Sequence, residues 1–290
     1  MIEKIKKFIN KRPEVVAAYG YGSGIFKQSG YTNNDKPQID LILVVEDLKK
    51  WHKENMKLNK KDYSMTGKVF FENAKISQLK GLTGITYVSN IKEDGNIFKY
   101  GTIEEKDLIE NLETWKSFYM AGRFQKTIYP IKESERLIQA ISKNRENALL
   151  VSTYLQDKEE VDSKDIYVTL CSLSYLGDTR MKFAENPRKV LNIVEGSFDE
   201  LNKIYNVDDK VKINREKLKD DLRKLPKELL EYISDSLDSD DDIIRQKIIE
   251  YFTQLNKKES ATQTIKGIYT NGISRSIDYA SKKMAKRFKK

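Results

Sequence analysis

Ala18-Tyr19-Gly20-Tyr21-Gly22-Ser23-Gly24 is the stretch on which the reading of this chain turns. It continues Val15-Val16-Ala17, so a β-branched and aromatic run from Val15 to Tyr21 reads as a strand that ends in glycines. Three glycines within five residues let a backbone come close to a ligand, because glycine has no Cβ. A dinucleotide-binding loop needs the spacing GxGxxG, then an apolar helix and a ribose-binding acid. The spacing here is GxGxG, and no such helix follows. A P-loop needs a Lys-Ser or Lys-Thr pair after the glycines, and none is present. Two alternatives remain: a plain glycine-rich turn, or a turn whose amides hold phosphate oxygens.

The next apolar run, Gln38 to Val45 (QIDLILVV), reads as a second, largely buried strand. Asp40 interrupts it, and an unpaired carboxylate is costly to bury. A bound magnesium resolves that cost, since it prefers hard oxygen ligands. A strand ending in Gly-Ser, with a carboxylate in the following strand, resembles the polymerase-beta-like nucleotidyltransferases. Their usual second acid, two residues on, is replaced here by Ile42. Glu46, Asp47 or a distant aspartate would have to complete such a site.

Outward from these strands, Ile85 to Ile91 and Ile97 to Ile103 flank the turn Glu93-Asp94-Gly95-Asn96 and read as a hairpin. Met1 to Asn10 reads as an amphipathic helix, with no secretory or mitochondrial leader pattern. Beyond Glu104 the pattern becomes helical. Leu108, Leu112, Trp115 and Tyr119 share one helix face, Glu133 to Leu155 forms another helix, and Ser163 caps a third. Asp199–Tyr205, Lys227–Leu237 and Ile243–Leu255 follow as helices. The five aspartates between Ser234 and Asp242 read as a solvated loop that caps the next helix.

The chain has 290 residues, 33% charged and 39% hydrophobic, with a net charge of +9. That length supports one large or two ordinary domains. Aromatics at 10% exclude a disordered chain. A single cysteine (Cys171) and a single histidine (His52) exclude internal disulfides and multi-histidine or cysteine zinc cages. Cys171 reads as a small core residue. The charge is unevenly spread, because Arg275 to Lys290 holds seven basic residues and one acid, +6 in all. On a helix, Ile273, Ile277, Ala280, Met284 and Phe288 form one stripe. Lys282, Lys283, Lys286 and Arg287 lie mostly on the opposite side. This is the pattern of a helix lying on an anionic bilayer. A solvated basic tail or an RNA-binding tail would share its charge.

Read together, these blocks resemble a known family. YGSGIF, IDLILVVED, Trp51-His52 with Asn55, and Tyr63-Ser64 are similar to the mitochondrial translocator assembly and maintenance proteins. These are CTP:phosphatidate cytidylyltransferases. The likeness continues through Lys99-Tyr100-Gly101, Ala121-Gly122-Arg123 with Gln125-Lys126, and Leu173-Ser174-Tyr175 with Gly177-Asp178 and Arg180-Met181. It resumes at Val190 to Val194 and at Lys266-Gly267-Ile268-Tyr269-Thr270 with Gly272. Two positions depart from the family pattern as we read it. Thr262 stands where an arginine is expected, and Asp62 stands where a histidine is common.

The resemblance implies an α+β fold, with a polymerase-beta-like head over residues 1–115 and a mostly helical, winged-helix-like domain over 116–258. A C-terminal segment, 259–290, would return to the active site and end in the membrane helix. The implied reaction makes CDP-diacylglycerol and pyrophosphate from CTP and phosphatidate, with Mg2+. Gly20, Gly22, Ser23, Gly24, Lys99 and Lys266 would bind the nucleotide. Asp40, Ser23 and Lys266 would be catalytic, and Asp40 and Asp178 would hold the metal. Arg123, Lys126 and Arg180 would bind phosphatidate, and cations of this kind suit phosphate. Asp178 has an alternative role as the ion-pair partner of Arg180. His52 is read either as a substrate contact or as structural, because a phosphate monoester needs little deprotonation near neutral pH. Ile277, Lys282, Lys283, Met284, Lys286, Arg287 and Phe288 would contact an anionic membrane. The expected setting is the cytoplasmic face of a bacterial membrane, with no nucleic-acid partner. The alternatives are a nucleotidyltransferase with a soluble acceptor such as RNA, and a non-catalytic basic nucleic-acid-binding protein.

Overall fold

The computed structural model describes residues 1–26, 37–183 and 186–272. The basic stripe from Ile277 to Phe288, with Lys282, Lys283, Met284, Lys286 and Arg287, lies outside these residues.

The fold is mixed α and β. The head contains α1 (Ile2–Asn10), β1 (Ala17–Tyr21), β2 (Ile39–Val45), α2 (Leu48–Leu58), α3 (Met65–Asn73) and α4 (Ile76–Lys80). It continues through β3 (Thr86–Glu93), β4 (Asn96–Glu104), α5 (Glu105–Thr114), α6 (Phe118–Phe124) and β5 (Ile128–Lys132). α7 (Glu135–Tyr154) leads into the helical module, with β6 (Glu160–Asp162), α8 (Ser163–Ser172), α9 (Thr179–Phe183), α10 (Lys189–Gly196) and α11 (Phe198–Tyr205). β7 (Lys210–Lys212), α12 (Arg215–Asp221), α13 (Lys227–Ile233) and the long α14 (Asp241–Asn271) complete it.

The five-stranded sheet runs β3-β4-β2-β1-β5. β2 is the central strand, antiparallel to β1 and parallel to β4. It is apolar on both faces because both are covered. Leu41, Leu43 and Val45 pack with Ile5 and Phe8 of α1 and with Trp51 of α2. Ile42 and Val44 pack with Leu108, Phe124 and Leu137 from α5, α6 and α7. Asp40 shares this second face, at the end of the strand. The hairpin forms as its turn residues require, with Asp94 at φ +48° and Gly95 at φ +73° between β3 and β4.

Three features depart from the sequence reading. The helix face through Leu108, Leu112, Trp115 and Tyr119 is broken, because α5 ends where Trp115 turns left-handed at φ +58°. Trp115 is fully buried there and its indole N–H donates to Asn144 at 2.8 Å, so tertiary packing holds the unfavourable turn. β5 completes the sheet beside β1, so the sheet draws on residues beyond 115. The helix expected over Ile243–Leu255 runs instead as one 31-residue rod, α14, about 46 Å long.

α7 belongs to two cores, and α14 reaches from the module core to the head sheet. Leu137, Ala140 and Ile141 of α7 pack in the head, while Ala148, Val151 and Tyr154 pack in the helical module. α14 buries Ile244, Ile248 and Phe252 in the module, and its far end lies on α3 and β3. Gln263 donates to the Ile85 carbonyl at 3.1 Å, and the Asn271 side-chain oxygen accepts from the Ser89 amide at 2.9 Å. The aspartate-rich loop leads to Asp240 at the N-cap of α14, as its acidity suggests. Cys171 is buried in the module core.

Candidate active site

The glycine turn, Asp40 and Lys99 meet at one end of the sheet. Register places Tyr21 opposite Asp40 on one side and Asp40 opposite Lys99 on the other. Gly22 follows at φ +73°, a conformation that disfavours any Cβ. A Cβ there would also lie 3.5 Å from Asp40 Oδ2. Gly24 is required by close approach, since a Cβ would overlap the Gln38 carbonyl. The amides of Ile25 and Phe26 both donate to the Gly22 carbonyl, at 3.0 and 2.9 Å, which folds Ser23 into a tight turn above the strand end. Asp40 accepts from Gln38 Nε2 at 2.9 Å, and Lys99 Nζ is 3.9 Å from its Oδ1. Lys99 also lies over the Tyr87 ring, 4.3 Å from its centroid.

A strip of rings and cations continues from this point along α6. The Arg123 guanidinium stacks over Tyr21 at 4.3 Å. Burial opposes its charge, but the surrounding phenols of Tyr21, Tyr87 and Tyr119 raise its basicity. Its Nε is buried without a hydrogen-bond partner among the described residues. Burial alone would push the Tyr119 phenol up, yet Arg180, Arg123 and Lys99 bring it down to about 8. Beyond lies a small cavity of about 30 Å³ lined by Arg123, Lys126, Ser174, Asp178, Arg180 and Glu259, among others. Lys126 Nζ donates to the Ser174 hydroxyl at 2.6 Å and to the Gly122 carbonyl, and burial pulls it down to about 7. Arg123, Lys126 and Arg180 therefore line one cavity.

Asp178 is paired with Arg180. Its Oδ1 accepts from the Arg180 amide and Nε, both at 2.9 Å, and its Oδ2 lies 2.6 Å from Arg180 Nη2. This is the ion-pair role, and it fixes Arg180 toward the cavity. Glu46 and Asp47 sit past the other end of β2, about 20 Å along the strand from Asp40. Asp47 caps α2 by accepting the Lys50 amide at 2.8 Å. Among the described residues, no three histidines, cysteines or acids form a group that could hold a metal by themselves. Asp40 nevertheless fits one. Its Oδ2 faces the space that Gly22 leaves clear, and magnesium is commonly held by one or two carboxylates plus substrate phosphates.

Lys266 reaches the head but turns to backbone. Its Nζ donates to the carbonyls of Ile85 at 2.7 Å and Lys80 at 2.8 Å, and burial pulls it down to about 7. His52 is structural. It is fully buried and stacked on Phe71, with Nδ1 2.9 Å from the Tyr63 hydroxyl and Nε2 2.7 Å from the Thr102 hydroxyl. Burial, with the nearby Lys266, pulls its imidazolium down to about 3, so the ring is neutral. Asp62 pairs with buried Arg12 at 2.9 Å and accepts from the Tyr100 hydroxyl at 3.1 Å, so this departure from the family pattern serves the core.

Sequence reasoning missed Tyr87, Tyr119 and Glu259. The tyrosines look like core residues, because only the fold places them between the cations. Glu259 sits on α14, is almost fully buried, and accepts the Phe118 amide at the start of α6 at 3.0 Å. Burial raises its carboxyl to about 7, against the hydrogen bonds around Ser117, Phe118 and Tyr119. The one signal available was an acid in the run just before the Lys266 block.

Comparison with known proteins adds to this geometry. The sequence model of the family described as "Phosphatidate cytidylyltransferase, mitochondrial" matches residues 5–226 and 210–286. The protein of that name from Schizosaccharomyces pombe is 41% identical over 207 residues, which is 70% of this chain and 52% of its own. The Saccharomyces cerevisiae protein is 33% identical over 94% of this chain and 67% of its own. The mouse protein is 29% identical over 98% of this chain and 94% of its own. The chain thus spans about half the length of some relatives it matches, as with the 52% of the S. pombe protein. With the family model matched along nearly its whole length, this chain belongs to the mitochondrial phosphatidate cytidylyltransferase family.

Proposed function

We propose that this chain makes CDP-diacylglycerol and pyrophosphate from CTP and phosphatidate. The observation that carries the proposal is the meeting of the Gly22-Ser23 turn, Asp40 and Lys99 at one sheet end, beside the Arg123–Lys126–Arg180 wall. The head reads as a polymerase-beta-like nucleotidyltransferase. The helical module, with its short β6–β7 ribbon, reads as winged-helix-like.

A phosphate oxygen of phosphatidate attacks the α-phosphorus of CTP in line. The new P–O bond forms as the bond to the β-phosphate oxygen breaks, and pyrophosphate departs. The attacking phosphate is largely dianionic near neutral pH, so no strong base is needed. Amides of the glycine turn and the Ser23 hydroxyl hold triphosphate oxygens. Lys99 lies where it can offset charge on the transferring group, and Tyr87 confines it. Arg123 and Arg180 receive the phosphatidate headgroup, Arg180 being held in line by Asp178. Asp40 would hold Mg2+, which supplies charge neutralisation on the triphosphate when bound. Positioning of two anions against each other is the main work of such a site.

Labelled CTP should be converted only with both phosphatidate and magnesium, and Asp40→Ala should abolish conversion. Full turnover in Asp40→Ala would overturn the Asp40 assignment. Conversion with RNA or a soluble alcohol in place of phosphatidate would transfer the proposal to another acceptor.

A further inference from the structure

β5, α7 and α11 border a second cavity, of about 440 Å³, that shares no lining residue with the cavity of Arg123, Lys126 and Arg180. That volume falls in the range of about 300 to 1,000 Å³ in which small molecules are bound. The walls follow from local periodicity. Ile128 and Pro130 share one face of β5, with Pro130 paired across to Tyr19 of β1. Ile138, Ile141, Arg145 and Leu149 fall on one face of α7. Ile204 and Tyr205 of α11 close the third side. Ile138 is 47% exposed, so the mouth opens to solvent beside it.

Two donor groups at this cavity are incompletely used. Tyr19 is fully buried, and its hydroxyl has no hydrogen-bond partner among the described residues. Burial raises its pKa, so the phenol keeps its proton and can donate. Arg145 is half-buried. Its Nε donates to the Phe124 carbonyl at 3.1 Å, and it pairs with no carboxylate among the described residues. Its charge acts on the Tyr19 phenol, so the two groups stand close together. Burial lowers the pKa of Arg145, an opposition to its charge that a bound anion would offset. The rim also carries Glu133 and Glu146. Glu146 is paired with Lys143 at 3.2 Å, while Glu133 is exposed. One cation facing one unpaired acid accommodates a single negative charge and disfavours a dianion.

We propose that this cavity binds a single-chain amphiphile with one carboxylate. The carboxylate accepts from the Arg145 guanidinium and the Tyr19 hydroxyl, a charge-assisted contact. The alkyl chain lies along Ile128, Ile138, Ile141 and Ile204, whose side chains are aliphatic and offer no polar partner. The occupant also rests on the groups that hold α6. Arg145 and Tyr205 donate to the carbonyls of Phe124 and Gln125, the two residues between Arg123 and Lys126. Neither Arg145 nor Tyr19 takes part in the transfer reaction, so the site stands whatever the acceptor proves to be.

The test titrates decanoate, below its micelle concentration, into the full chain by isothermal calorimetry. One decanoate should bind per chain. Decanol, which has the same chain length without the charge, should bind roughly tenfold more weakly. Arg145→Gln keeps a donor for the Phe124 carbonyl and should weaken decanoate binding roughly tenfold. Tyr19→Phe should weaken it severalfold with the melting temperature held or raised, because the hydroxyl it removes is unpaired. Ile138→Glu adds a second unpaired acid at the exposed mouth and should weaken it in a chain that melts like the parent. CTP with magnesium should leave decanoate affinity unchanged. A parent that binds no decanoate overturns the proposal, as does unchanged affinity in the three variants or equal binding of decanol. Displacement of decanoate by CTP or by a short-chain phosphatidate would place it at the reacting end of the sheet and overturn the separate site.

Discussion

Asp40 is the one acid within β2, and it survives there because it lies at the strand end, beside a glycine and across from a lysine. Asp40→Asn should therefore lower turnover at least roughly a hundredfold, with the melting temperature held or raised. Steady-state assays beside calorimetry check this. Lys266 behaves in the opposite way. Lys266→Met keeps most of its bulk but takes a donor from the Lys80 carbonyl and leaves the Ile85 carbonyl to Gln263 alone, at a cost of about 1–3 kcal/mol of stability. Its titration has a definite sign. Burial lowers the folded pKa to about 7 from the ordinary 10.5 of a lysine. Between those values the unfolded chain binds the extra proton, so this group makes stability rise with pH. Urea titrations at pH 7 and 10 should show the parent gaining on the Met variant. Glu259 acts in a lower window. Its folded pKa is raised to about 7 from 4.5, so stability falls as pH climbs through that range. Glu259→Gln keeps an acceptor for the Phe118 amide and should flatten that fall. A parallel pH profile in the two proteins would sink the assignment.

At the scale of elements, the parts legible in the sequence are those fixed by local chemistry. The Asp94-Gly95 turn demands a hairpin, and the apolar run interrupted by Asp40 marks a buried strand and singles out its one acid. The α5–α6 break was hidden, because Trp115 adopts its left-handed turn only when Asn144 of α7 holds the indole. Lys99 could be flagged by its block, but its place beside Asp40 depends on parallel pairing between strands separated by three helices. Asp178 and Lys266 could be flagged in the same way. The pairing of Asp178 with Arg180, two residues on, was among the sequence readings, whereas the two backbone carbonyls that Lys266 meets follow from packing that no spacing reveals. The contact between α14 and β3 is equally non-local and can be tested directly. Asn271→Ala removes the acceptor shared by the Ser89 amide and hydroxyl. Hydrogen exchange at Ser89 should then quicken, with a loss of about 1–2 kcal/mol, while β1 and β5 amides keep their protection.

For the whole molecule, α7 is shared between cores and α14 joins the module core to the head sheet, so the two modules are bound through common helices. Calorimetry should accordingly give one cooperative transition, and two resolved transitions would count against the shared-helix description. Among the described residues, no helix is long and apolar enough to cross a membrane. The order of the chain adds a consequence of its own. The sheet that bears Asp40 is written in the first 132 residues, yet the helix that seals its β3 edge ends only at Asn271. A ribosome releases the strands long before it releases their cover. During synthesis the nascent head must therefore wait, with one flank open, for nearly the last residue of α14. Its maturation is timed by the synthesis of α14 rather than by its own completion.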